Sequence, residues 1–248
     1  MKICRFTIEN QIKTGVLENQ TIFLRDNNEK TNESYRLDEV KLLPPVAPSK
    51  IVCVGRNYAE HAAELGNDVP KEPLLFLKAP SAVIVDGDSI VIPAQSNQVE
   101  HEGELALVIG LACKNLADDS ASLEYVFGYT ILNDVTARDL QRADVQFTRA
   151  KSFDTFCPLA STIETDLDAR DIRVTTKVNN IIKQTGRTSQ MVFSVEFLIK
   201  YISRQMTLLP GDVIATGTPS GVSRLQNGDV CEVEIEGIGT LSNPVVNA

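Results

Sequence analysis

Glu100-His101-Glu102-Gly103-Glu104-Leu105-Ala106-Leu107-Val108-Ile109 places acids and a histidine directly ahead of an apolar run. In an extended chain successive side chains alternate, so Glu102 and Glu104 share one face while Leu105, Leu107 and Ile109 share the other. Two carboxylates side by side at the mouth of an apolar strand repel each other unless positive charge sits between them. A hard divalent cation does that, and carboxylate oxygens suit Mg²⁺, Mn²⁺ or Ca²⁺. The competing reading is an exposed strand start carrying ordinary surface charge.

Outward from this stretch, strand signals dominate. Ile51 to Val54, Ala82 to Val85, Ser89 to Ile92, Val126 to Asn133, Arg173 to Val178, Asp212 to Thr216 and Val230 to Ile235 are rich in β-branched residues and bounded by Gly, Pro, Asn or Asp. Helices are few. Ser194 caps one whose apolar residues Val195, Leu198, Ile199 and Ile202 follow helical spacing, and a short one runs from Tyr58 to Leu65 with Gly66 as its stop. Without regular strand–helix alternation a doubly wound sheet is disfavoured, and the class is α+β, mostly β. Lys2 to Phe6 and Thr21 to Leu24 read as strands and Asp26 to Ser34 as a solvated loop. The prolines of Leu43-Pro44-Pro45-Val46-Ala47-Pro48 then break regular structure. The expected division is a small β-rich N-terminal unit, 1–45, and a catalytic domain, 46–248.

Composition excludes several classes of function. A formal net charge of −9 with no basic run argues against nucleic acid as a partner. The five cysteines, Cys4, Cys53, Cys113, Cys157 and Cys231, form no CxxC pair, which argues against a disulfide framework and a thiolate zinc site. The first residues lack the apolar stretch of a signal peptide, and the apolar run 105–112 is too short to cross a bilayer. A cytoplasmic protein without a membrane partner is expected.

The chain has two histidines, each beside glutamate. On a helix His61 and Glu64 are neighbours, and a carboxylate beside an imidazole raises its basicity and fixes its tautomer. Such a pair can activate water. Taken alone, a solvated helix pair is the commoner meaning. Asp134 ends the strand Tyr129 to Asn133, where it can meet acids from a neighbouring strand. With Glu102 and Glu104 it would leave coordination positions open for a chelating substrate. Lys151 sits in Arg149-Ala150-Lys151-Ser152-Phe153-Asp154, and Thr216-Gly217-Thr218-Pro219-Ser220-Gly221 offers donors to an anion without the lysine of a phosphate loop. Alone, these two read as solvated surface and plain turn.

Taken together and in this order, the segments resemble the fumarylacetoacetate hydrolase family, including its bacterial isomerase and acylpyruvase-like members. The match runs from Val54-Gly55-Arg56-Asn57-Tyr58 with His61, through Phe76-Leu77-Lys78 and His101-Glu102-Gly103-Glu104-Leu105. It continues with Asp134-Val135-Thr136-Ala137-Arg138-Asp139 and Ala150-Lys151-Ser152-Phe153-Asp154, and ends with Thr216-Gly217-Thr218-Pro219 and Glu236-Gly237-Ile238-Gly239. The resemblance implies a mixed β-sheet roll with few helices, assembled as a homodimer. It implies Mg²⁺ or Mn²⁺ on Glu102, Glu104 and Asp134, and catalysis by His61, Glu64 and Lys151. Arg56, Asn57, Tyr58, Arg138, Gln141, Gly217 and Thr218 become substrate-side contacts. The implied reaction is hydrolytic C–C cleavage of an acylpyruvate-type 2-oxo acid through an enolate. Decarboxylation or isomerisation of an oxaloacetate-like or 2-hydroxy-dienedioate acid ranks second, and a catalytically silent binding protein third. Two residues depart from the pattern: Phe147 stands where many relatives carry Trp, and Asn180 replaces the glycine of a common Val-Asn-Gly.

Overall fold

The apolar run after Glu102 forms the strand Gly103–Ile109, every residue of which is buried in the computed structural model. The structure describes residues 1–26 and 29–248. This strand pairs antiparallel with Val126–Asn133 on one side and Val213–Ala215 on the other. Val213–Ala215 pairs parallel with Ile51–Gly55, which pairs antiparallel with Leu74–Lys78, so the sheet is mixed. Beyond Val126–Asn133 come Thr162–Glu164 and the N-terminal strand Lys2–Ile8. The remaining N-terminal strands extend this into an eleven-stranded sheet. A five-stranded sheet is built from Ile181–Arg187, Arg173–Val178, Val230–Ile235, Gly239–Asn247 and Ile90–Ile92. The fold is α+β and mostly β.

One face of Gly103–Ile109 carries Leu105, Leu107 and Ile109. They pack with Leu198, Ile199 and Ile202 of the helix Val195–Gln205 and with Val174, Val233 and Ile235 of the second sheet. The opposite face carries Ala106 and Val108, packed with Ile51, Cys53, Leu132, Cys157 and Leu159. A strand covered on both faces reads as a continuous apolar run rather than an alternating one. Ser194 caps the long helix as expected, its Oγ accepting from Phe197 N–H at 3.3 Å.

One expectation is corrected. The solvated loop placed over Asp26–Ser34 is largely a strand, Glu29–Arg36, paired with Thr21–Asp26; Asn27 and Asn28 lie outside the described residues. It edges the sheet with no residue fully buried, so its sequence carries no apolar alternation to reveal it. Asn179 and Asn180 turn the chain between two strands at φ of 51° and 64°. Asparagine tolerates this left-handed turn, which accounts for the missing glycine.

All five cysteines are buried and unpaired. Burial pushes the Cys4 thiol up to about 11 and the Cys157 thiol up to about 12, which makes them inert at neutral pH. No helix among the described residues is long and apolar enough to cross a membrane.

Candidate active site

Asn133 sets the geometry of the acids. It ends its strand opposite Gly103, and its Oδ1 accepts from Glu102 N–H at 2.9 Å, while Asp134 N–H donates to Glu102 O at 2.8 Å. Strand pairing therefore brings Asp134 beside Glu102, and Glu104 follows two residues along. Ligand oxygens of Glu102, Glu104 and Asp134 lie within 4.8 Å of one another, all buried. The surface-charge reading of the strand start is thereby overturned.

Cations surround these acids. Lys151 Nζ donates to Glu102 Oε2 and Asp134 Oδ2, each at 2.7 Å. Lys78 Nζ reaches Asp134 Oδ1 at 2.5 Å. Arg138 bonds Glu100 through Nε at 2.7 Å, Gln141 through one terminal nitrogen at 2.5 Å, and Glu102 through the other. Burial alone would raise the Glu102 carboxyl, but Lys151 and Arg138 outweigh it and hold the group well below the usual range. Burial would likewise lower the Lys151 pKa, and Asp134 and Glu102 reverse that, keeping it an ammonium.

Glu104 differs. Its Oε2 accepts from Gly217 N–H at 2.7 Å, and no cationic side chain bonds it among the described residues. Burial, then repulsion from Asp134 and Glu102, push its carboxyl well above the ordinary value. Among the described residues, the cationic side chains hydrogen-bonded to Glu100, Glu102, Glu104 and Asp134 are thus three, Lys78, Lys151 and Arg138. A buried cluster with one carboxylate short of a counter-charge, and oxygen donors only, fits a hard divalent cation on Glu102, Glu104 and Asp134.

A cavity of about 120 Å³ opens over this cluster. Of the expected site residues it gathers Arg56, His61, Glu102, Glu104, Asp134, Arg138, Gln141, Lys151 and Thr218. Lys151 is 2% exposed, so the solvated-surface reading fails. Arg56 has φ of +59° and no side-chain partner among the described residues. A non-glycine residue held in that region at a cavity wall is a common mark of function. His61 Nδ1 lies 3.2 Å from Glu64 Oε2, on the short helix Ala59–Glu64. Glu64 stands behind His61, its carboxylate accepting from Gly221 N–H at 3.0 Å.

Three expected contacts do not line the cavity. The Asn57 side chain is consumed by backbone: it donates to Thr216 O at 2.7 Å and Phe193 O at 3.1 Å and accepts from Phe193 N–H at 2.8 Å. Tyr58 does not line the cavity, and its buried hydroxyl has no hydrogen-bond partner among the described residues. Gly217 acts through Glu104, and its φ of +99°, with Asn57 Cβ 2.7 Å from where a Cβ would sit, excludes other residues. Conversely, Lys78 and Glu100 were not foreseen as site residues. A lysine closing the apolar run 74–77 is the signal for the first, since a buried ammonium requires an acid. Phe147 lines the cavity and meets Phe76 edge to face at 5.7 Å.

Residues 50–246 match the family described as fumarylacetoacetate (FAA) hydrolase C-terminal, and residues 1–45 match Rv2993c-like, N-terminal. The chain belongs to the fumarylacetoacetate hydrolase family. It is 50% identical over 222 residues to an uncharacterized protein of Methanocaldococcus jannaschii, covering 90% of this chain and 91% of that one. It is 42% identical over 236 residues to the oxaloacetate tautomerase YisK of Bacillus subtilis, covering 89% of this chain and 78% of that one. Among solved structures, a 2-hydroxyhepta-2,4-diene-1,7-dioate isomerase from Mycobacterium marinum superposes with a TM-score of 0.91 at 41% identity, covering 100% of this chain and 98% of that one.

Proposed function

We propose that this chain moves a proton on a compact 2-oxo diacid, interconverting its keto and enol forms, with a divalent cation held by Glu102, Glu104 and Asp134. The observation that carries this reading is His61 on the wall of a cavity floored by buried acids and Lys151, with Glu64 behind it at 3.2 Å from Nδ1. Mg²⁺ or Mn²⁺, when bound, supplies the Lewis acid that makes the carbon next to the ketone acidic.

The side chains divide the remaining work. With Glu64 accepting from Nδ1–H, His61 keeps a lone pair on Nε2 and serves as the base. His61 takes the proton from carbon, and the C–H electron pair moves into the enolate. The Lys151 ammonium and Arg138 guanidinium stabilise the negative oxygen. The proton now on His61 passes to the enolate oxygen, which gives the enol and frees the base, and the reverse sequence returns it to carbon. Arg56, whose guanidinium has no partner among the described residues, meets the second carboxylate. Cavity size supports a small substrate, since a cavity of about 150 Å³ holds benzene.

The tautomerase and isomerase named above support proton transfer over cleavage. Hydrolysis of an acylpyruvate is the second reading, in which the same pair deprotonates water, and the family's hydrolase description supports it. The test is a turnover panel of oxaloacetate, a 2-hydroxy-dienedioate and acetylpyruvate with Mg²⁺, with products identified and a chelator control. Metal-dependent ketonisation without C–C cleavage is expected. Cleavage products would replace this reading with the second, and no turnover of any of the three would overturn both.

A further inference from the structure

Gln184 lies on the strand Ile181–Arg187, opposite Thr176, and is completely buried. It does not line the cavity, yet its amide has every hydrogen-bonding position filled. Oε1 accepts from Gly103 N–H at 3.1 Å and from His101 Nδ1 at 3.0 Å. Nε2 donates to Thr218 Oγ1 at 2.7 Å and to Pro219 O at 2.6 Å. A backbone N–H only donates and a carbonyl only accepts, so these partners settle which amide atom is which. His101 then carries its proton on Nδ1 and accepts from Ser223 Oγ at Nε2, 2.8 Å away.

The consequence reaches Thr218. Its Oγ1 receives the Gln184 N–H and gives its own proton to Gly103 O at 2.8 Å. Thr218 therefore meets the cavity with its hydroxyl proton already spent, able only to accept. The loop held by the Gln184 bond to Pro219 O continues to Gly221, whose N–H supports the Glu64 carboxylate. Gly221 sits so close to the Gln184 strand that a Cβ would fall 2.0 Å from Lys183 O.

We propose that Gln184 is a positioning residue that presents Thr218 to the substrate as an acceptor-only hydroxyl and holds the loop on which Glu64 leans. The substrate group facing Thr218 Oγ is thus a donor, such as an enol hydroxyl, and not a carboxylate oxygen. The role of Gln184 in turnover rests on the proton-transfer reading above; the polarity of Thr218 does not.

Two measurements test it. In the first, kcat and KM are taken for Gln184→Met, Thr218→Val and the double variant, with the Mg²⁺-induced rise in Tm as the check that each folds around its acids. Gln184→Met is expected to lower kcat/KM about 10-fold or more, the scale of one or two lost hydrogen bonds. In the Thr218→Val background it is expected to lower it markedly less, because the hydroxyl it orients is gone. Independent, multiplying losses, or wild-type kinetics in a folded Gln184→Met, would overturn the positioning role. Should Gln184→Met not fold, Gln184→Glu, which keeps the acceptor toward Gly103 and His101, replaces it in the same comparison. In the second, oxalate, which carries only acceptors, is titrated calorimetrically into Mg²⁺-loaded protein. Thr218→Val is expected to bind it at least as tightly as wild type. Binding 10-fold weaker would show the hydroxyl donating to ligand and would sink the polarity assignment. Absence of wild-type turnover would count against the proton-transfer reading and the role of Gln184 in it, leaving the oxalate titration to decide Thr218 by itself.

Discussion

Gly103 lies directly against the Thr176 hydroxyl: a methyl group at 103 would sit 2.2 Å from Thr176 Oγ1 and 2.9 Å from a Val233 methyl. The glycine between the two glutamates is therefore dictated by packing, since the second sheet crosses the large one at this residue. Thr176 Oγ1 is buried there without a hydrogen-bond partner. Gly103→Ala should cost about 1–3 kcal/mol from overpacking and should weaken metal binding by displacing Glu102 and Glu104. Urea denaturation and a Mg²⁺ titration would read both effects, and Thr176→Ala should restore part of each. An unchanged denaturation midpoint for Gly103→Ala would mean that the sheets do not meet this closely.

No cationic side chain among the described residues bonds Glu104, so it should respond most clearly to the metal. Saturating Mg²⁺ or Mn²⁺ at about 100 Kd should stabilise the fold by about 2.7 kcal/mol, a rise in Tm of roughly 5–10 °C. Glu104→Gln should abolish most of that rise, and chelation should remove turnover. A Tm shift that persists in Glu104→Gln would place the ion elsewhere.

His61→Ala should lower kcat by about 10²- to 10⁴-fold while leaving the Mg²⁺-induced Tm shift intact, because His61 is a base and not a ligand. Glu64→Gln should follow the same pattern with a smaller loss, since the amide still accepts from Nδ1–H. Steady-state kinetics beside thermal melts would separate the two roles. Undiminished turnover in His61→Ala would end the pair's assignment.

Arg56→Ala should raise KM about 10-fold or more for a diacid and leave a monocarboxylic analogue much less affected. Equal effects on both would show that the guanidinium does not meet the second carboxylate.

Asp212 gives the fold an acid-sensitive joint. It is buried and accepts from Ser49 Oγ at 2.5 Å, Leu209 N–H at 2.8 Å and Ser49 N–H at 3.1 Å, and it pairs with Lys50. Burial would raise its carboxyl, but Lys50 and Ser49 outweigh it and hold the group below its ordinary value. Its contribution to stability is therefore full above the unfolded value of about 4 and is lost as pH falls from there toward the folded one. Asp212→Asn should be less stable at neutral pH by about 1–3 kcal/mol, and the gap to wild type should shrink below about pH 4. Denaturation midpoints across pH 2–7 would measure it, and a gap independent of pH would assign the loss to packing.

Much of the site was legible in the sequence because its segments, taken together and in order, resemble one family. Taken alone, the His61–Glu64 pair, Lys151 and Thr218 read as solvated surface and plain turn, and Glu102 and Glu104 left a metal and ordinary surface charge both open. The strand Gly103–Ile109 and the helix Val195–Gln205 were likewise visible, since a run buried on both faces and a helical apolar stripe are one-dimensional patterns. Glu29–Arg36 escaped because an edge strand owes its form to its neighbour and not to its own periodicity.

What only the tertiary structure decided is which polar groups face one another. Asn57, beside Arg56 in the chain, spends its side chain on Thr216 and Phe193, while Arg56 turns into the cavity. Lys78, Gln184 and Glu100 join the centre from separate strands, and nothing in their local sequence names their partners. Residue type and alternation determine the elements and the kind of chemistry. Direction across sheets, and so the counter-charge each carboxylate finds, is set by contacts between residues far apart in the chain.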